Sequence, residues 1–186
     1  MQQNGENGGE IRRHNELNEK RNYRNSKYKK KTNRFYQALN LPVLCNMNPR
    51  SVYNKVDEFH DFIKEEAVDV LFLSESWERE NLPLEQIIHL EDHVIISNVH
   101  QRKGMGGRPA IIANSEKFHI QNLTNTVIQI PWGVEAVWCI LTPKNITHDS
   151  RIQKIACCAV YSKPNSNKKS LLLDHISEAY IILSTK

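Results

Sequence analysis

Hydrophobic positions after Leu41 fall into short runs separated by polar turns, a pattern typical of a packed α/β domain. Apolar side chains recur at helical spacing in residues 52–66, which predicts an amphipathic helix. A second helix is predicted for residues 170–183, with Ser170 as a candidate N-cap. Runs of β-forming residues predict seven strands, at 42–47, 69–73, 93–98, 110–114, 118–123, 133–141 and 154–161.

The first two strands and the helix between them form a predicted β-α-β unit. Because such crossovers are right-handed by default, the two strands are expected to be parallel and to end at the same edge of a sheet. Asn46 and Asn48 stand at the end of the first strand, and Ser74 and Glu75 follow the second. The later strands are joined by short polar loops, which favours antiparallel pairing.

Polar residues at these strand ends could bind a divalent cation. A carboxylate at the end of a buried strand loses hydration unless it gains a partner, and Mg²⁺ takes oxygen ligands. Glu75 with Asn46 or Asn48 is therefore a candidate half of a magnesium site. In the alternative, Glu75 caps a turn and Asn48 holds the extended conformation before Pro49. Tyr161, at the last strand end, could bind a phosphate oxygen or be an ordinary rim aromatic.

The positive charge of the chain is concentrated at its N-terminus. The formal net charge is +4, yet residues 1–36 hold ten Lys or Arg against four acidic residues, and the remainder is slightly acidic. Few of these 36 residues are apolar, so we expect a disordered basic arm. The arm could contact phosphates or serve as a nuclear import signal, or it could merely solubilise the chain. The candidate nucleic-acid contacts are Lys27, Lys29, Lys30, Lys31 and Arg50.

Membrane and secretory signals are missing from the sequence. No apolar run approaches the roughly 18–20 residues that span a bilayer, and the N-terminus has no apolar core with a cleavage site. The four cysteines lie in apolar runs without a C-x-x-C motif, which predicts buried thiols in a reducing compartment. We therefore expect an intracellular protein, nuclear or cytoplasmic, that is neither secreted nor membrane-bound.

The order of the motifs resembles the endonuclease/exonuclease/phosphatase family. More narrowly, residues 41–186 resemble the N-terminal portion of the apurinic-like endonuclease domain in the polyproteins of LINE-type, non-LTR retrotransposons. The motifs in chain order are N-P-R-S (48–51), L-F-L-S-E-S-W (71–77), R-K-G-M-G-G-R (102–108), G-V-E-A-V-W-C-I-L (133–141) and Y-S-K-P (161–164).

This resemblance implies a fold, a cofactor and three site residues. The implied fold is part of a four-layer α/β sandwich, and the implied activity is Mg²⁺-dependent nicking of DNA at a retrotransposition target site. In the family, an Asn of the first strand and a Glu of the second hold Mg²⁺, and a Tyr orients the scissile phosphate. Carried over by motif, these are Asn48, Glu75 and Tyr161, with Asn46 as the alternative Asn.

Two catalytic segments of the family do not occur in this sequence. These are G-D-x-N, which handles the nucleophilic water, and S-D-H, whose His pairs with the phosphate. Asp174-His175 resembles the second superficially, but it is predicted to lie on the polar face of a helix.

We therefore expect a truncated domain at residues 41–186 that is inactive alone and exposes an apolar sheet face or edge. The remainder of a retrotransposon polyprotein is a candidate partner, besides DNA. The alternative is a non-catalytic or vestigial protein that binds nucleic acid through its basic arm.

Overall fold

A computed structural model describes residues 41–98, 106–145, 153–163 and 166–185. The predicted basic arm, residues 1–36, lies outside the described residues together with its candidate contacts Lys27, Lys29, Lys30 and Lys31. Residues 102–105 of the glycine-rich turn and Pro164 of the Y-S-K-P motif also lie outside them.

Ten elements follow one another in the described part of the chain. All seven predicted strands and both predicted helices are confirmed, with shifts at their ends. The prediction of Ser170 as an N-cap is wrong, because the last helix begins one residue earlier, after Lys168. The elements are β1 (Leu44–Met47), α1 (Val56–Glu65), β2 (Val70–Leu73), α2 (Leu84–Ile87), β3 (His93–Ser97), β4 (Ala110–Asn114), β5 (Phe118–Asn122), β6 (Glu135–Pro143), β7 (Ile155–Tyr161) and α3 (Lys169–Ser184).

The strands form two separate sheets. The first has the order β1-β2-β4-β3, and the second has the order β5-β6-β7. β1 and β2 are parallel, with Asn46 opposite Phe72, as the β-α-β unit predicts. The other pairs are antiparallel. Between β4 and β5 the chain changes sheets through a tight turn, in which the Asn114 side-chain oxygen accepts the N–H groups of Glu116 and Lys117.

The two sheets pack face to face, and each carries a helix on its outer face. α1 covers the first sheet through Phe59 and Ile63, and α3 covers the second through Ile176 and Ala179. The predicted four-layer α/β sandwich is thus confirmed. The core between the sheets consists of buried side chains from both, namely Val70, Ile96, Ile111, Ala113, Phe118, Val137, Cys139, Leu141, Cys157 and Ala159.

The cysteines are thiols embedded in these layers. Cys139 and Cys157 are buried opposite each other on β6 and β7, whereas Cys45 and Cys158 are half-buried. Burial raises the pKa of Cys158 to about 12 and also raises the pKa of Cys45. Cys45 and Cys158 are therefore protonated thiols near neutral pH and pack as small apolar groups.

Exposed apolar side chains lie on strand edges and on α3. The expected exposed sheet face is not found among the described residues, because α3 covers the outer face of the second sheet. Leu44 and Val94, on the edge strands of the first sheet, are half exposed. On α3, Leu173, Tyr180 and Ile181 are more than 60% exposed. In the described ranges, no helix has the length and apolar content needed to cross a bilayer.

His175 packs against the second sheet, so the prediction that it lies on a polar helix face is wrong. Its side chain is 2% exposed, and its Nε2 accepts a hydrogen bond from the indole N–H of Trp138 at 3.0 Å. The two rings meet edge to face. Burial lowers the pKa of His175, which favours the neutral acceptor form. His175 is therefore a core residue that attaches α3 to the sheet.

This burial predicts an acid sensitivity of the fold. Below pH 6.5, the ordinary pKa of His, the unfolded chain binds a proton that folded His175 excludes, so the free energy of unfolding falls as the pH falls. His175→Leu removes this pH dependence. It also leaves the Trp138 N–H unpaired, which costs about 1–3 kcal/mol at pH 8. Denaturant unfolding from pH 5 to pH 8 measures both effects.

His119→Leu is the matched control, because His119 is exposed on β5. This variant should keep the pH dependence of the unmodified chain. If the free energy of unfolding of the His175→Leu variant fell as steeply with falling pH as that of the unmodified chain, His175 would not be the source of the acid sensitivity.

Candidate functional site

The carboxyl ends of β1 and β2 meet at one edge of the first sheet. Beyond the strands, the N–H groups of Ser51 and Val52 donate to the carbonyl oxygens of Glu75 and Ser76, at 3.0 and 3.2 Å. The parallel ladder is thus extended into the N-P-R-S loop. This confirms that the two polar strand ends share an edge, and it places exposed Arg50 in the loop beside Glu75.

Asn46 on β1 and Asn48 just after it have different surroundings at this edge. Asn46 is exposed and lies opposite Phe72, whose side chain packs into the core between the sheets. Because paired residues point to the same face, Asn46 lies on the face turned towards the second sheet. Asn48 lies beyond the strand, and its side-chain oxygen accepts the Arg50 N–H at 3.1 Å. Asn48 is therefore tied into a local turn, whereas Asn46 lies at the mouth between the sheets.

The segment after β2 is also bonded on its other side, to the glycine-rich turn. The N–H groups of Ser76 and Trp77 donate to the carbonyl oxygens of Arg108 and Gly107, both at 3.2 Å. The Ser76 hydroxyl donates to the same Arg108 oxygen at 2.6 Å. Glu75 is half-buried between these two loops, and its Oε2 accepts the Trp77 indole N–H at 3.4 Å.

Gly107 lies where the segment after β2 comes close to the second sheet. A Cβ at this position would collide with the Glu135 carboxylate and would lie 2.8 Å from Cδ1 of Tyr161. Glu135 and Tyr161 are paired across β6 and β7, and both lie on the face turned towards the first sheet. One glycine therefore joins the segment bearing Glu75 to the strand end bearing Tyr161.

Glu135 is a site residue that sequence reasoning missed. The residue is 9% exposed, and its Oε2 accepts the Arg108 N–H at 2.8 Å. The available signal was a single acidic residue inside the apolar run from Val134 to Leu141. A carboxylate in such a run needs a polar partner, but the sequence does not say that the partner is a backbone amide of the glycine-rich turn.

A second missed carboxylate, Glu78, stabilises the segment after β2. It is 1% exposed, and its Oε1 accepts the Leu84 N–H at 2.9 Å and the Ser97 hydroxyl at 3.0 Å. Burial raises the pKa of Glu78. Its two hydrogen bonds connect the segment to α2 and β3, which is how these elements support the edge.

Backbone strain is concentrated at the same edge. Among the described residues, six non-glycine residues have positive φ, and four of them are Arg50, Ser51, Trp77 and Arg108. Such conformations cost on the order of 1–3 kcal/mol each and persist where the surroundings impose them, often at functional sites. The four strained residues flank Glu75 and Gly107, which marks this edge as the candidate site.

The donor atoms at the edge fit a hard divalent cation in part. Mg²⁺ is commonly held by one or two carboxylates together with water and substrate phosphate. Glu75 offers a half-buried carboxylate, and Asn46 offers an amide oxygen on the neighbouring strand. In the described ranges, no group of three or more His, Cys, Asp or Glu residues could hold a metal ion without such help. A cation at this edge would therefore depend on water and phosphate oxygens.

Comparisons with known proteins give a distant likeness to a solved structure. No protein-family model and no curated protein matches the chain. Among solved structures, the chain is similar to the crystal structure of the AP endonuclease LMAP from Leishmania major, with 15% identity and a TM-score of 0.45. The match covers 75% of this chain and 45% of that one, so the matched part spans less than half the length of that enzyme.

The close approach at Gly107 predicts that Gly107→Ala destabilises the fold more than Gly106→Ala. Both glycines have positive φ, so alanine costs each about 1–2 kcal/mol. At Gly107 the methyl group also meets Glu135 and Tyr161, which should add about 1–3 kcal/mol. At Gly106 the nearest neighbour of the added Cβ is the Trp77 indole nitrogen, at 3.9 Å. Denaturant unfolding measures the free energy of unfolding of both variants. Equal destabilisation by the two substitutions would contradict the close approach of Gly107 to Glu135 and Tyr161.

Proposed function

We propose that this domain is the cation-holding and phosphate-orienting part of a Mg²⁺-dependent DNA endonuclease of the LINE type, acting in retrotransposon target-site nicking. The observation that carries the proposal is the meeting at Gly107 of the segment bearing Glu75 and the strand end bearing Tyr161. A carboxylate beside a phenol at a strained edge between two sheets suits metal-assisted phosphodiester hydrolysis.

Each residue has a role that follows from its place at the edge. Glu75 holds the cation, with Asn46 as the second protein ligand, because the Asn48 oxygen already accepts the Arg50 N–H. When bound, the cation stabilises the negative charge that develops on the phosphate. The Tyr161 hydroxyl orients a phosphate oxygen, and exposed Arg50 attracts the DNA backbone.

The groups that activate water and steady the oxyanion have no counterpart in this sequence. The G-D-x-N and S-D-H motifs are missing, and His175, the one superficial match, is buried against Trp138. A general base or an oxyanion donor each contributes a factor of about 10² or more. We therefore propose that this chain has little turnover alone and acts with the remainder of a retrotransposon polyprotein.

A second candidate function is non-catalytic nucleic-acid binding through residues 1–36. The charge asymmetry favours it, because these residues hold ten Lys or Arg against four acidic residues. In this alternative the edge around Glu75 binds no cation, and affinity for DNA depends on the arm and falls steeply with salt.

Magnesium binding distinguishes the two functions. Calorimetric titration of the full chain with MgCl₂ should show one site, which Glu75→Gln weakens at least about tenfold because an ionised ligand is lost. Asn46→Ala should weaken it as well, and Asn48→Ala should not. Glu80→Gln is the matched control, because Glu80 is exposed outside the edge. Undiminished Mg²⁺ affinity in the Glu75→Gln variant would overturn the proposal.

Plasmid nicking and DNA affinity complete this test. We expect the chain alone to nick supercoiled plasmid weakly or not at all with Mg²⁺, and Glu75→Ala to abolish any nicking. If Mg²⁺ does not bind, and deletion of residues 1–36 removes a salt-sensitive DNA affinity, the non-catalytic function is correct.

A further inference from the structure

A cavity of about 420 Å³ opens beside Tyr161 on the second sheet. Its volume lies within the range of about 300–1,000 Å³ that is usual for ligand sites. Glu135 and Tyr161 line it and also belong to the candidate site, so the cavity adjoins the place where a scissile phosphate would lie. Its lining also includes Trp132, Gly133, Lys163 and Lys168.

Trp132 gives this cavity an open aromatic face. Its side chain is 82% exposed, more than any other large hydrophobic residue with a described position. An indole left in water is costly, because this side chain normally buries a large area. An exposed aromatic ring at the rim of a polar cavity is a surface on which a nucleobase can stack.

Two lysines bring positive charge to the same cavity. Lys163 follows the strand end at Tyr161, and Lys168 immediately precedes α3. The Lys168 side chain lies across the backbone of Gly133, with its Cδ 3.0 Å from the position that a Cβ would occupy. A side chain at residue 133 would push Lys168 away, so this glycine keeps an ammonium group next to Trp132.

We propose that this cavity binds one unstacked nucleotide of the DNA substrate, next to the scissile phosphate. The base stacks on Trp132, and the flanking phosphate groups contact Lys163 and Lys168. The inference rests on the proposed endonuclease function, because it takes the substrate to be DNA and Tyr161 to face the scissile phosphate. The ammonium groups of Lys163 and Lys168 attract these flanking phosphate groups.

The experiment compares two DNA duplexes in EDTA, one fully paired and one with a single unpaired nucleotide. Fluorescence anisotropy of labelled DNA gives the affinity of the full chain for each. We expect the unpaired nucleotide to tighten binding about tenfold, in line with the usual contribution of base–aromatic stacking. Trp132→Ala should remove this preference, and Trp132→Phe should restore most of it.

Two further variants separate stacking from charge. The double variant Lys163→Ala with Lys168→Ala should weaken binding of both duplexes and reduce its salt dependence. Tyr180→Ala is the matched control, because Tyr180 is an exposed aromatic residue on α3 that does not line the cavity. It should leave the preference unchanged.

Failure of the inference and failure of the proposed function give different results. If Trp132→Ala keeps the preference, or if the unmodified chain shows none, the nucleotide site is wrong even where Glu75-dependent Mg²⁺ binding holds. If Mg²⁺ binding does not depend on Glu75 and the preference still depends on Trp132, the endonuclease function is wrong and the cavity is a DNA-binding site alone.

Discussion

The close approach of backbone to side chains at Gly107 is the constraint on which the candidate site depends. This residue accepts a hydrogen bond from the segment after β2, and its missing side chain leaves room for Glu135 and Tyr161 of the second sheet. The left-handed backbone of Trp77 and Arg108 on either side is consistent with two loops forced together. The two halves of the site lie on separate sheets, and this contact brings them together at the end of the shared core.

The site also continues the hydrophobic core outward. Along β7, Cys157 and Ala159 face the first sheet, and the next position on that face is Tyr161. Along β6, the face that buries Val137 ends in Glu135. The apolar contacts that hold the sheets together therefore also set the direction in which the polar residues point. The packing of the two sheets thus determines where the site residues lie. The chemistry of the site depends on which residue types occupy the end positions of β6 and β7.

Local periodicity was enough to predict the regular elements, and chain order was enough to predict the parallel pair β1–β2. The assignment of β4 and β5 to different sheets could not be read from the sequence, because pairing depends on contacts between distant segments. For the same reason, the contact of Glu135 with the glycine-rich turn could not be predicted. His175 was misplaced for another reason. Helix α3 is apolar on several sides, so its periodicity does not say which side meets the sheet, and Leu173 and Tyr180 lie outside. The one turn of α2 is too short to show any periodicity.

The sheet order also has a consequence for folding kinetics. The strands β5, β6 and β7 pair with their neighbours in sequence, whereas β2 pairs with β4, and α2 and β3 lie between these two strands along the chain. Closing the longer loop costs more chain entropy, so the second sheet can form early and the first sheet later. The contact at Gly107 joins both sheets and is therefore complete only after each has formed. Chains released from a ribosome or diluted from denaturant would then pass through states that have ordered sheets but no assembled site.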